Sequence, residues 1–248
     1  SRASKMAGSG FPMYVGFGAL LEWALLSFFI EENVRKGYRF ILPPYLLKEG
    51  CFFTAGNLPK FKDQLYYVPE DDLYLVPTAE SDLAGLHMGE ILSEDDLPLF
   101  YTAFTPCFRR EAGSWGKDVR GLIRMHQFHK VEMFVITRPE DSWEVLEKMV
   151  EDAEDLVKKL DLHYRVTLLS TGDISFASAK TYDVEVWLPS LEDYKEVSSV
   201  SNTTDFQARR GRIRLKRRDG RKEYVHMLNG SGLATSRLLP AIMEQNQT

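Results

Sequence analysis

The sequence predicts an α+β fold, a mostly antiparallel β-sheet flanked by helices. Two observations carry that prediction. Short strand-like runs follow one another with turns between them and few helical crossovers, which parallel sheets would require. The two long helical patterns sit before and between the strand runs, so they cover the sheet rather than alternate with its strands. With 248 residues, 44% of them hydrophobic, the chain can bury a sizeable core and is expected to form a single domain over 1–248.

The elements follow in order. An apolar helix runs from about Gly18 to Arg35 and ends at Gly37, a C-cap-like position. A strand at Arg39 to Leu42 is stopped by Pro43-Pro44. Short strands are expected at Leu65 to Val68 and Leu73 to Val76, and a helix at Glu80 to Leu92. Leu99 to Phe104 has aromatic and β-branched strand character. Cys107 to Glu111 and Leu122 to Phe134 read as two further strands around a charged, glycine-containing loop at Gly113 to Gly121. After Pro139, the residues Trp143, Leu146, Val150, Ala153, Val157 and Leu160 recur at helical spacing, the core stripe of an amphipathic helix. Strands then follow at Tyr164 to Leu169, Tyr182 to Leu188, Tyr194 to Ser199 and Glu223 to Leu228. A closing helix from Leu233 to about Glu244 opens on the turn-like Asn229-Gly230-Ser231-Gly232.

Composition excludes several function classes. Cys51 and Cys107 have no CxxC spacing, so neither a disulfide framework nor a thiolate zinc site is indicated, and a reducing compartment is the default. The longest apolar run, Phe17 to Ile30, is interrupted by Glu22 and followed by Glu31 and Glu32, too short and too charged to span a bilayer. Ser1 to Gly10 is polar and small, unlike a signal peptide, and reads like a cut into a larger protein.

The net charge of −5 hides an asymmetry. Arg209 to Lys222 holds nine basic residues against Asp219 alone. Alternation from Arg212 to Lys216 around an Asp219-Gly220 turn reads as a hairpin with one basic face, either a solvated tip or a contact for a polyanion such as RNA backbone.

The densest chemistry lies between Phe108 and Glu132. Period-2 alternation places Arg109 and Glu111 on one face of the first strand and Arg124, His126, Phe128, Lys130 and Glu132 on one face of the second. Guanidinium forks suit phosphate oxygens, a ring suits a base, and carboxylates suit an amine or ammonium. A solvated charged face on an ordinary hairpin would show the same pattern.

Taken with three other segments, this stretch resembles the catalytic domain of seryl-tRNA synthetases, which are class II aminoacyl-tRNA synthetases. Gly37-Tyr38 through Pro43-Pro44 is similar to motif 1, Phe108 to Glu132 to motif 2, and Gly230 to Arg237 to motif 3. Thr78-Ala79-Glu80 and the block from Glu196 through Asp205-Phe206-Gln207-Ala208-Arg209-Arg210 match the seryl branch. The resemblance implies the class II catalytic fold and ATP-dependent activation of L-serine, with transfer to the acceptor end of tRNA(Ser). It implies a homodimer, built on the Gly18 to Arg35 helix and the motif 1 strand, and a cytoplasmic or organellar setting. The amino-terminal tRNA-binding helical arm of the family is not in this sequence. A paralogue that is non-catalytic, or that delivers serine to another acceptor, is the competing expectation.

The resemblance also assigns roles. Arg109 and Arg237 are the catalytic pair. Arg109 holds the α-phosphate and the amino-acid carboxylate, and Arg237 covers one face of the adenine while Phe128 stacks on the other. Glu111 accepts from the adenine amino group, Met125 reads the base edge through its backbone, and Arg124 reaches the γ-phosphate, with Arg110 also in the ATP set. Glu196 and Ser199 hold Mg2+ between phosphates, a hard cation that prefers oxygen, and Val197 and Ser198 line the same strand. Serine is held by Thr78, Ala79, Glu80, Arg109, Glu132, Asn229 and Ser231. Trp115 and Lys117, in the motif 2 loop, are expected to contact the tRNA acceptor stem. His129 stands where the family pattern has an acid.

Overall fold

The computed structural model describes residues 2–112 and 122–247. The expected Trp115 and Lys117 contacts lie outside the described residues.

A short helix α1 (Arg2–Ala7) is followed by α2 (Phe17–Arg35), β1 (Arg39–Ile41), β2 (Leu46–Leu47), α3 (Glu49–Ala55), β3 (Tyr67–Val68) and β4 (Leu73–Leu75). Next come α4 (Glu80–Gly85), β5 (Ile91–Ser93), β6 (Leu99–Phe108), β7 (Gln127–Thr137) and α5 (Ser142–Lys159). The chain continues through β8 (Tyr164–Leu168), β9 (Lys180–Leu188), β10 (Asp193–Asn202), α6 (Phe206–Gly211), β11 (Arg214–Lys216), β12 (Lys222–Tyr224), β13 (His226–Ala234) and α7 (Thr235–Gln245).

The central sheet has the strand order β1-β6-β7-β13-β10-β9-β8. Only β1 pairs in parallel, with β6; the other neighbours are antiparallel. The expected α+β class is therefore the observed one. On one face, α2, α5 and α7 cover a core that includes Leu26, Phe29, Met133, Leu146, Val184, Leu228 and Leu238. On the other, α4, α6 and the β11–β12 hairpin close over Ala79, Leu83, Phe134, Ile136, Ile213 and Met227. Each long central strand is thus buried on both sides, and β7 is fully buried from Lys130 to Thr137.

Four sequence expectations change. The two strands expected at Leu99 to Phe104 and Cys107 to Glu111 are one strand, β6, running through Pro106. Pairing with β1 ends at Ala103, so Pro106 lies where β6 is an edge and needs no N–H on that side. The following strand starts at Gln127 rather than Leu122, so Arg124 and His126 are outside its alternation, whereas Phe128, Lys130 and Glu132 share a face as expected.

The helix expected to reach Leu92 stops at Gly85. Gly89 then takes φ +79 and Ile91–Ser93 joins β11 in a parallel pair, a long-range pairing that overrides local propensity. Finally, Asn229 to Gly232 is not a turn before the closing helix. It lies within β13, between β7 and β10. Its glycines are there for close approach: a Cβ on Gly232 would sit 2.8 Å from Asn33 Nδ2 and 2.9 Å from Met133 Cγ.

The basic hairpin forms around Asp219-Gly220 as expected, with β11 and β12 antiparallel. Part of its charge is paired within the protein. Arg217 pairs with Glu94, Glu140 and Glu223, Arg218 with Asp95, and Arg221 with Asp219. Arg210 donates to the carbonyls of Phe53 and Leu58.

Candidate active site

One cleft of about 490 Å³ opens on the ends of β6, β7, β10 and β13 and gathers most of the expected residues. Thr78, Glu80, Arg109, Glu111, Arg124, Met125, Phe128, Glu196, Val197, Ser231 and Arg237 line it, together with Lys130, which sequence reasoning did not assign.

The mouth carries the guanidinium groups. Arg109 leaves the end of β6, donates through Nε to the Pro77 carbonyl at 3.2 Å, and lies 5.0 Å from the Phe128 ring centroid. Its backbone N–H bonds to the His126 carbonyl, which keeps the chain ends of β6 and β7 together beyond the strands. Glu111 has φ +49 and accepts from Arg124 Nη1 at 2.9 Å. Both therefore reach the cleft from irregular backbone rather than from strand alternation. Arg237, in the first turn of α7, donates from Nη1 to the Glu196 carbonyl at 3.0 Å and lies 3.3 Å from Glu196 Oε2.

Ala79, Arg110, Glu132, Ser198, Ser199 and Asn229 are not in the cleft lining; Arg110 and Ser198 are turned away from it, and the other four sit behind or beside residues that do line it. Arg110 is exposed, and its backbone N–H bonds to the Gln64 carbonyl. Ser198 is fully buried, and its hydroxyl donates to the Ser231 carbonyl at 2.5 Å. A bulge explains the second case. Glu196 pairs with Glu185 but Ser198 with Val184 and Ser199 with Asp183, so one extra residue intervenes. Glu196 and Ser199, which ordinary alternation would put on opposite faces, come to one face. Ser198 turns away.

Asp183, directly across from Ser199, was not expected at the site. It is 9% exposed, Ser199 hydrogen-bonds to it, and its Oδ1 is buried without a partner. Burial, then the Glu196 charge, pushes its carboxyl up to about 6. Glu196, Ser199 and Asp183 make an all-oxygen set beside the guanidinium of Arg237, which fits a hard divalent cation completed by ligand oxygens. The orphaned Asp183 oxygen is the observation that supports the fit.

At the floor, Lys130 Nζ lies 2.5 Å from Glu132 Oε2 and donates to Thr78 Oγ1 at 2.7 Å. Thr78 in turn donates to Glu132 Oε2 at 3.2 Å. All three are buried, at 7%, 2% and 5% exposure. Burial raises the Glu132 carboxyl, while Lys130, Thr78 and Arg109 act against that rise. Glu80, in the first turn of α4, accepts from Asn229 Nδ2 at 3.1 Å. Burial and then the Glu132 charge push its carboxyl up to about 7. Ala79 is buried behind Thr78 and Glu80. The floor is thus a small polar pocket with two carboxylates and one ammonium, suited to a second ammonium with a short polar side chain.

A mostly antiparallel sheet flanked by helices, with arginines and carboxylates gathered around one cleft at the ends of its long central strands, is the core that the family comparison identifies. The chain belongs to the tRNA synthetase class II core domain family (G, H, P, S and T), whose model matches residues 61–246. Within that family it is similar to serine-specific members. It is 58% identical over 247 residues to the serine–tRNA ligase of Coprothermobacter proteolyticus, covering 99% of this chain and 59% of that protein. The crystal structure of seryl-tRNA synthetase from Pyrococcus horikoshii complexed with ATP superposes with a TM-score of 0.96 at 46% identity, covering 100% of this chain and 56% of that one. The cytoplasmic serine–tRNA ligase of Naegleria fowleri in complex with AMP gives a TM-score of 0.94 at 34% identity, covering 100% and 59%. The chain therefore spans less than two thirds of the length of these relatives.

Proposed function

We propose that this chain is the single catalytic domain of a serine–tRNA ligase, activating L-serine with ATP and passing it to the 3′ end of tRNA(Ser). The observation that carries the reading is the continuity of one cleft from the Arg109–Phe128 stack to the buried Thr78–Lys130–Glu132 group. The first suits a nucleotide, the second an amino acid with a small polar side chain. The names of the similar proteins, and the ATP and AMP complexes among them, support the same substrates.

In this reading the adenine stacks on Phe128, with Arg237 over its other face. Arg109 holds the α-phosphate and the serine carboxylate together. The carboxylate oxygen forms a bond to the α-phosphorus as the bond to the pyrophosphate oxygen breaks, so pyrophosphate leaves with its electron pair and no general base is needed. Arg109 stabilises charge that builds on the α-phosphoryl oxygens. Rate comes from positioning and charge stabilisation. Glu196 and Ser199, with Asp183, would hold Mg2+, which supplies neutralisation of phosphate charge when bound. Thr78, Glu80, Glu132, Asn229 and Ser231 hold the serine ammonium and hydroxyl. A buried polar pocket rejects alanine because its groups would be left unpaired, at about 1–3 kcal/mol each.

A homodimer is part of the proposal. The outer face of α2 and the β1 end expose Phe17, Leu20, Trp23 and Leu42 at 64–79%, an apolar surface that a second copy would cover. Cys51 and Cys107 are free thiols, in keeping with a reducing compartment such as the cytoplasm. Among the described residues no helix is long and apolar enough to cross a membrane. Calorimetric titration with a seryl-sulfamoyl adenosine and its alanyl counterpart tests the reading. The seryl compound should bind at least tenfold more tightly, and equal affinities would contradict it.

A further inference from the structure

Gln207 lies outside the cleft lining and on a short helix, α6, that carries no residue of the ATP set. It is nonetheless fully buried and directed at Glu80. Its Nε2 donates to Glu80 Oε1 at 2.6 Å and to the Ala55 carbonyl at 3.1 Å, and its Oε1 accepts from Thr203 Oγ1 at 3.3 Å. Thr203 Oγ1 also lies 2.7 Å from the Met227 carbonyl. These contacts fix which end of the amide donates, since the Ala55 carbonyl can only accept.

Glu80 Oε1 therefore takes two amide N–H groups, from Gln207 and from Asn229. Both amides act on the same oxygen, which fixes the rotation of the carboxyl and leaves Oε2 for the cleft. The charged groups that act on Glu80 are Glu132, Lys130 and Arg109. Lys130 is already committed to Glu132 and Thr78. The pocket thus holds one lysine for two carboxylates, and Glu80 is the carboxylate without an ammonium partner.

We infer that Gln207 is a positioning residue for amino-acid binding, holding Glu80 by its Oε1 so that Oε2 meets the substrate ammonium. This rests on the serine-activating reading given above. Gln207 touches neither substrate nor nucleotide. It acts only through Glu80, so it affects ground-state and transition-state binding of the ammonium alike and moves the serine KM rather than kcat. The ATP subsite, built on β6, β7, β10 and α7, is independent of it.

The experiment is steady-state pyrophosphate exchange on the unmodified chain, Gln207→Met and Gln207→Glu, with serine and ATP varied separately from pH 6 to pH 8.5. Gln207→Met fills a similar volume without a donor and should raise the serine KM about tenfold, as expected for a lost buried hydrogen-bond partner, leaving the ATP KM within twofold. Gln207→Glu places a carboxyl against Glu80, and the pair can share one proton at low pH but not at high pH. Its serine KM, relative to the unmodified chain, should be raised more at pH 8.5 than at pH 6. A merely structural role would move ATP and serine constants together without that pH trend. Such parallel shifts, or a serine KM within twofold of the unmodified chain in both variants, would overturn the inference. Absence of serine-dependent exchange in the unmodified chain would instead overturn the serine-activating reading.

Discussion

Lys130→Met tests the buried ion pair at the pocket floor. Lys130 and Glu132 are 7% and 2% exposed and their charged atoms are 2.5 Å apart. Removing one partner of such a pair costs about 3–5 kcal/mol, because the other charge stays buried without compensation. For a chain of this size, with about 2–4 °C per kcal/mol, Tm should fall by roughly 6–20 °C. Protonation of Glu132 limits the loss, and burial already raises that carboxyl, so the loss should be greater at pH 8 than at pH 6. The double variant Lys130→Met/Glu132→Gln removes both charges and should recover about 2 kcal/mol or more of the single-variant loss. Urea denaturation of the four proteins at both pH values gives the coupling directly. Additivity within about 0.5 kcal/mol at pH 8, where Glu132 is more fully ionised, would refute the claim that the two charges are energetically one unit.

Three more outcomes follow from the same geometry. Asp82 is 8% exposed, its carboxyl has no partner beyond its own backbone N–H, and burial, acting against that N–H, pushes it up to about 8 from 3.8. The folded state then holds the proton more tightly than the unfolded state, so stability falls as pH rises from about 4 to 8. Asp82→Asn should flatten that slope, and parallel stability–pH curves for the two proteins would contradict it. Glu80, pushed up to about 7, should bind an ammonium better once ionised. The serine KM should fall as pH rises through about 7, and Glu80→Gln should abolish the inflection; an unchanged inflection in the variant would assign it elsewhere. Asp183→Asn should raise the Mg2+ concentration needed for half-maximal exchange without moving the serine KM, and an unchanged Mg2+ requirement would remove Asp183 from the cation set.

Much of this was legible in the sequence. Leu146, Val150, Ala153 and Val157 of the expected stripe are the buried face of α5, whereas Trp143 is 47% exposed in its first turn and Leu160 caps the helix. The motif residues Arg109, Phe128, Glu196 and Arg237 converge as their order along the chain implied. What escaped depended on pairing between distant segments. Ile91–Ser93 reads as helix until β11 is present to pair with it, and the glycines of β13 read as a turn until Asn33, Met133 and Val200 crowd them. The bulge that brings Glu196 and Ser199 to one face, and so exposes Asp183 as their neighbour, has no signature in β10 taken alone. Alternation puts Lys130 beside Glu132, and a pairing of Glu132 with a neighbouring lysine is legible there; only the fold brings Thr78 to 2.7 Å from the same ammonium. His129, where the family pattern has an acid, faces Glu22 at 2.8 Å, a contact that another carboxylate would disfavour.

Serine-dependent exchange of labelled pyrophosphate into ATP, with Mg2+ present, tests the central claim most directly. Threonine, alanine and Arg109→Ala protein serve as controls. The account predicts exchange with serine, little with alanine or threonine, and a loss of about 10²–10³-fold or more in the variant, the cost of removing a charge-stabilising donor. Folded, ATP-binding protein that shows no exchange with serine, or shows equal exchange after Arg109→Ala, would contradict it.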